Sequence, residues 1–147
     1  MASWILDRTE RDVINETNKG FVNYTDFNRI ESDIAELETT LNAYGYLLPE
    51  TLVNKTDWHA QGYLGTSGMD NIPTLAHMNR ILHNISVLLG VYRVYPTTPS
   101  LPSTMEYATY KTFNDIEQIL HDLWLMLRDT ERYFRQCNTF DCGEYEY

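Results

Sequence analysis

Three stretches of this sequence space their apolar residues at alternating steps of three and four, which leaves little room for anything but packed helices. The first is Phe27, Ile30, Ile34, Leu37, Leu41 and Tyr44; the second is Met78, Ile81, Ile85, Leu88, Tyr92 and Tyr95. The third is Phe113, Ile116, Leu120, Leu123 and Leu127, widened by Ile119, Trp124 and Met126. Each rhythm places one apolar stripe along a helix. The expected fold class is therefore all-α. It is a small bundle of three main helices plus a short N-terminal helix, with a long ordered or partner-ordered loop and an extended C-terminal tail. The expected core is Phe27, Ile30, Ile34 and Leu37, then Met78, Ile81, Ile85 and Leu88, then Phe113, Ile116, Leu120 and Leu123. A chain of 147 residues suits one domain. Its expected divisions are a core over about 7–136, a loop over about 53–72 and a tail over about 137–147.

Local signals set the expected ends of each element. Asp7 followed by Glu10 reads as a cap with its reciprocal acid, which predicts a short helix over about 7–18 with Gly20 as its stop. Thr25 opens the second helix, Gly45 ends it and Pro49 follows. Pro73 and Thr74 start the third. Pro96, Pro99 and Pro102 stiffen the next connector. Ser103 with Glu106 forms a capping pattern before a short turn. Thr109 or Thr112 then caps a last helix that runs to about Arg135. Glu31, Asp33, Glu36 and Glu38 fall off the apolar stripe, and the carboxylates as a group read as solvent-facing.

The three stripes share an opening. Phe27-Asn28-Arg29-Ile30, Met78-Asn79-Arg80-Ile81 and Phe113-Asn114-Asp115-Ile116 align without gaps, 51 and 35 residues apart. Unequal offsets exclude a fixed-period solenoid. Three helices with matching entry turns explain the echo, each Asn bonding local backbone. A shared binding role for the Asn-Arg pair is the alternative.

No catalytic pattern emerges. His77 and His83 are six apart on one helix, so they face different ways, and His121 and Asp122 diverge as neighbours. The histidines, His59 included, read as exposed polar residues rather than metal ligands. Gly62, Gly65 and Gly68 follow no strand and lack the phosphate-loop lysine. Cys137 and Cys142 are too few for a disulfide framework or a four-cysteine metal site. They read as reduced thiols, with a local disulfide open in an oxidising medium. No catalytic, cofactor-binding or metal-binding residue is expected, and no cofactor.

Eleven basic against twenty-one acidic side chains give a formal charge of −10. That opposes binding to nucleic-acid phosphates or an anionic membrane and favours a basic protein partner. No stretch reaches the length of a membrane span. Met1 to Arg11 shows no secretory pattern, so synthesis in a cytoplasm is expected. Asn15, Asn23, Asn54 and Asn84 begin N-x-Ser/Thr triplets that read as chance. Aromatics outside the stripes are the expected partner contacts: Trp58 and Tyr63 in the loop, Phe140, Tyr145 and Tyr147 in the tail. For Trp58, a lid folded back on the bundle is an equal alternative.

Several words of the sequence carry a resemblance. They are Trp4-Ile5-x-Asp7-Arg8-Thr9-x-x-Asp12-Val13, then Asn23-x-Thr25-Asp26-Phe27-Asn28-Arg29-Ile30-Glu31, and the Tyr44-Gly45-Tyr46 turn. Further on come Pro73-Thr74 with Met78, Pro96-Thr97-Thr98-Pro99 with Leu101-Pro102, and Asn114-x-Ile116-Glu117. The end adds Phe134 and Cys142-Gly143-Glu144. Together they resemble the small minor structural proteins of the tail modules of Firmicutes phages and prophages. The resemblance implies a non-enzymatic part of a tail, baseplate or tail-like particle, made in the cytoplasm of a bacterial host and destined for the virion. Its partners would be other tail or baseplate proteins or copies of itself, with no nucleic acid and no membrane. The alternative is a soluble acidic adaptor, an assembly chaperone or a DNA-mimic decoy. An enzyme would need a deep polar pocket with converging His and carboxylate groups.

Overall fold

The computed structural model describes residues 4–60 and 72–139, with side chains described as far as Arg132. Among the described residues four helices follow in order: α1 (Glu10–Ile14), α2 (Tyr24–Ala43), α3 (Leu75–Val91) and α4 (Tyr110–Thr139). There is no strand among the described residues. The described residues are all-helical, with three main helices and a short N-terminal one.

The helix starts follow capping chemistry, at positions slightly different from those expected. Asn23 caps α2, and its N3 residue Asp26 returns a carboxylate oxygen to the Asn23 N–H. Thr25 is the second residue inside. Thr74 caps α3 as expected, with His77 in the reciprocal role. The α1 cap is Thr9 paired with Asp12, not Asp7 with Glu10, and the helix is only five residues long. Asn15 ends it rather than Gly20. Gly20 serves the following turn instead. A Cβ there would lie 2.2 Å from the Asp12 carbonyl oxygen, so only glycine lets the chain fold back so closely. Gly45 does end α2, with φ at +86°. Ser103 and Glu106 start no helix; Glu106 donates its N–H to Thr104 in a turn instead.

The three long helices run parallel. Near their N-termini Arg29 meets Glu117 and Arg80 meets Glu31, while the Phe27 and Phe113 rings pack edge to face at 6.1 Å. Near the other end the rings of Tyr46 and Tyr92 meet at 5.1 Å, and Tyr92 bonds Thr130. Parallel neighbours require long return connections. This is why the segments between helices are extended and lack apolar periodicity.

The core closes where the stripes predict. Phe27, Ile30, Ile34, Leu37, Ile81, Ile85, Leu88, Phe113, Ile116, Leu120 and Leu123 are all buried. Met78 is the exception, only half-buried at the margin of the cluster. Its place is one turn inside the α3 start. Ile119 and Leu127 are buried too, and Leu52, Trp58 and Met105 join from the connectors.

A candidate interaction site built on two strap clamps

Two extended segments are held against the bundle by the same device. In the first, Asn114 on α4 donates Nδ2 to the Arg8 carbonyl at 2.9 Å and accepts the Arg8 N–H at 3.1 Å. Three residues further along α4, Glu117 accepts the Ile5 N–H at 2.9 Å. In the second, Asn28 on α2 donates Nδ2 to the Trp58 carbonyl and accepts the Trp58 N–H, both at 2.8 Å. Three residues on, Glu31 accepts the Lys55 N–H. The match is residue for residue: Asn grips both backbone groups of one strap residue, and Glu takes the N–H three residues earlier. One helical turn separates Asn from Glu, so both face the same strap.

A helical arginine closes each clamp. Arg29 on α2 reaches Glu117 at 2.6 Å and Asp26 at 2.7 Å. Arg80 on α3 reaches Glu31 Oε1 at 2.7 Å and the Val53 carbonyl at 2.6 Å. Burial works against the Arg29 charge, but Glu117 and Asp26 outweigh it and raise its pKa. The first clamp adds Arg8, whose side chain is fully buried and bonds Asp26 at 3.1 Å and Glu117 at 2.8 Å. Two guanidiniums and two carboxylates thus balance inside the protein. Such a cluster is tolerated only while every partner stays in place.

These residues overturn several expectations. Glu31 and Asp33 do not face solvent; with Asp26, Glu117 and Asp122 they are buried. Asn28 and Asn114 do not bond local backbone; Asn28 spans 30 residues and Asn114 spans 106. Asn84 is also buried and donates to Val53 and Asn54, so the triplets at 54 and 84 belong to packing. His121 is not an exposed polar residue. It lies between the rings of Trp4 at 5.5 Å and Trp124 at 6.2 Å, and its Nδ1 is buried without a hydrogen bond. The signal for the clamps is present in the echo itself. Asn28 and Asn114 each have Glu three residues on, whereas Asn79 has Leu82.

Trp58 requires a correction as a partner contact. It is 1% exposed, packs 5.6 Å from Phe27 and donates its indole N–H to Glu31. It is a lid fixed to the bundle and offers no surface to a neighbour. The bundle itself orders the described part of the 53–72 loop. Tyr63, Phe140, Tyr145 and Tyr147 lie outside the described residues, as does Cys142, and the Cys137 side chain is among those not described.

Exposed apolar groups lie elsewhere. Ile14 is 71% exposed, Phe21 49% and Val13 39%. Val13 and Ile14 border a cavity of about 550 Å³ whose walls include Val22, Ala108 and Phe113. A second, more polar cavity of about 650 Å³ opens beside the first strap, between Asp7, Lys19, Tyr24 and Arg29. Among the described residues, no group of three or more His, Cys, Asp or Glu side chains is placed to hold a metal ion. No described helix is long and apolar enough to cross a membrane. No known protein family, curated protein or solved structure matches this chain.

Proposed function

We propose that the chain is a non-enzymatic structural component of a phage tail, baseplate or phage-tail-like particle, acting through protein–protein contacts. The observation that carries this reading is where the buried polar groups are spent. Asn28, Glu31, Asn114, Glu117 and three arginines all fasten the protein's own backbone and helices together. Of these, only Arg29 also lines one of the two cavities described above, and its guanidinium is already bonded to Asp26 and Glu117 rather than held open as in a reacting constellation. A self-braced bundle with apolar residues left open at Ile14, Phe21, Leu47 and Tyr107 suits a building block. The resemblance of its sequence words supplies the particle. Its partners in this reading are other tail or baseplate proteins or further copies of itself, and its destination is the virion.

The decoy alternative loses ground on burial. Five carboxylates lie inside the protein and cannot imitate a row of phosphates.

The test is mass spectrometry of density-purified particles induced from the source strain. The chain should appear at a fixed ratio to tail proteins. Abundance in the lysate with absence from particles would overturn the structural reading in favour of an adaptor or assembly chaperone. Deleting residues 141–147 should leave the fold intact and weaken incorporation.

A further inference from the structure

We infer that residues 4–20 form an exchangeable arm, and that the Asn114–Glu117 clamp can receive this arm from a second copy of the chain. The inference deepens the structural-subunit reading and rests on it for the presence of many copies side by side.

The arm is a unit in its own right. Lys19 pairs with Asp7 at 2.6 Å, Thr9 and Asp12 cap α1, and Thr17 bonds Asp12. Gly20 then closes the turn against Asp12. Helix α1 contains no buried residue. Among the described residues the buried core begins at Phe27, and within the arm only Trp4 packs against it, half-buried. The bundle therefore keeps its apolar core when the arm leaves.

What holds the arm is polar and local to one groove. The Asn114 grip, the Glu117 bond to Ile5 and the buried Arg8 ion pairs make up the attachment. Open cavities of about 650 and 550 Å³ are lined in part by the arm, through Ile5, Asp7 and Lys19 in one and Glu10, Val13 and Ile14 in the other. The second clamp shows what such a site reads. Asn28 and Glu31 hold Trp58 and Lys55 by the same backbone atoms, although the side chains differ entirely. A clamp that recognises extended backbone and an arginine accepts an identical strap from another chain with every bond reproduced. Exchange of identical elements between copies is a low-cost route to association, with concentration deciding the outcome. The two straps differ in one way that matters. The Trp58 strap puts Leu52 and Trp58 inside the apolar core, whereas the first strap touches it only through half-buried Trp4. Phe21, Val22 and Asn23 connect the arm to α2 outside any helix, which gives it the reach of a hinge.

The experiment uses full-length chains carrying Cys137→Ser and Cys142→Ser, with one new cysteine each. Trp4 and His121 rings lie 5.5 Å apart across the clamp. One chain carries Trp4→Cys and the other His121→Cys, and both are concentrated together with a short thiol-reactive cross-linker. The control pairs Trp4→Cys with Leu47→Cys, at a position 84% exposed and outside the clamp. The expected result is a covalent heterodimer roughly tenfold above that control, as a built site should give over random collision. Adding Asn114→Ala to the His121→Cys chain should return the yield to the control level. A chain with both cysteines should cross-link internally when dilute, which verifies that the pair reports on the clamp. A heterodimer yield equal to the control overturns the inference, as does a yield insensitive to Asn114→Ala. Incorporation into particles without arm exchange would sink this inference alone. Exchange without incorporation would sink the particle reading alone.

Discussion

Asn114 holds Arg8 by both of its backbone groups, donating to the carbonyl and accepting from the N–H, across 106 residues of chain. An asparagine amide suits this role because its donor and acceptor each meet one complementary group. The strap thereby finds on a side chain the pairing that a β-strand would find on a neighbour. Asn28 does the same for Trp58. Helix α3 keeps Arg80 but has Leu82 in place of the glutamate, and α4 keeps Glu117 but has Asp115 in place of the arginine, so each clamp takes its helical arginine from a neighbouring helix.

Replacing either asparagine should therefore loosen one strap and not the bundle. Asn114→Ala and Asn28→Ala each remove two hydrogen bonds and leave two backbone groups short of partners, a loss of about 1–3 kcal/mol. Urea denaturation should report similar losses. Hydrogen exchange should separate them, with the Arg8 and Ile5 amides exposed in the first variant and those of Trp58 and Lys55 in the second. Equal protection of all four amides in both variants would show that the clamps do not hold the straps.

Glu117 accepts four hydrogen bonds, one from the Ile5 N–H, one from Arg8 and two from Arg29. Removing it in Glu117→Ala strands Arg8, whose side chain is fully buried, and Arg29 beside it. Uncompensated buried charge of this kind costs about 3–5 kcal/mol. Arg8→Met removes one of the stranded cations, so the double variant should lose less than the sum of the singles. Strict additivity in thermal or urea unfolding would mean that the residues do not act as one network.

The apolar skeleton was readable because periodicity is a local property. Eleven of the twelve expected core positions are buried, since a residue's place on a stripe fixes its side of the helix. What was hidden is non-local. Glu31 follows Ile30 and sits at the edge of the stripe, a position that is polar in an isolated helix. It becomes interior only because the Trp58 strap and Arg80 cover it. Asn28 looks like a residue suited to local backbone bonds until a segment 30 residues away arrives. The parallel course of the helices was not legible either, because stripes carry no direction. The lengths of the connectors were the clue, and the straps are its explanation.

Ile30, Ile85 and Leu120 lie in three different helices at the centre of the core, each no more than 1% exposed. Ile30→Asp, Ile85→Asp and Leu120→Asp should each unfold the bundle or lower its stability by more than about 4 kcal/mol, because a carboxylate would be buried without a partner. Circular dichroism melting decides it. Wild-type melting in all three would invalidate the core assignment.

Asp33 sets a pH dependence with a definite sign. It is 2% exposed, and its Oδ2 has no hydrogen bond. Burial raises its pKa from 3.8 to about 7, with the Glu36 charge adding to the effect and Arg29 opposing it. Below about pH 4 the carboxyl is protonated in both folded and unfolded chains, and it contributes no pH dependence. Between there and about pH 7 the folded chain keeps a proton that the unfolded chain has released. Stability therefore falls as pH rises through this window and levels off above it. Asp33→Asn imitates the protonated form and removes the titration. Wild type and variant should unfold alike at pH 4, while at pH 8 the variant should be more stable by on the order of 2–4 kcal/mol. Urea titrations at the two pH values give the comparison directly. A variant–wild-type difference that is the same at pH 4 and pH 8 would show that Asp33 is ionised in the folded chain throughout.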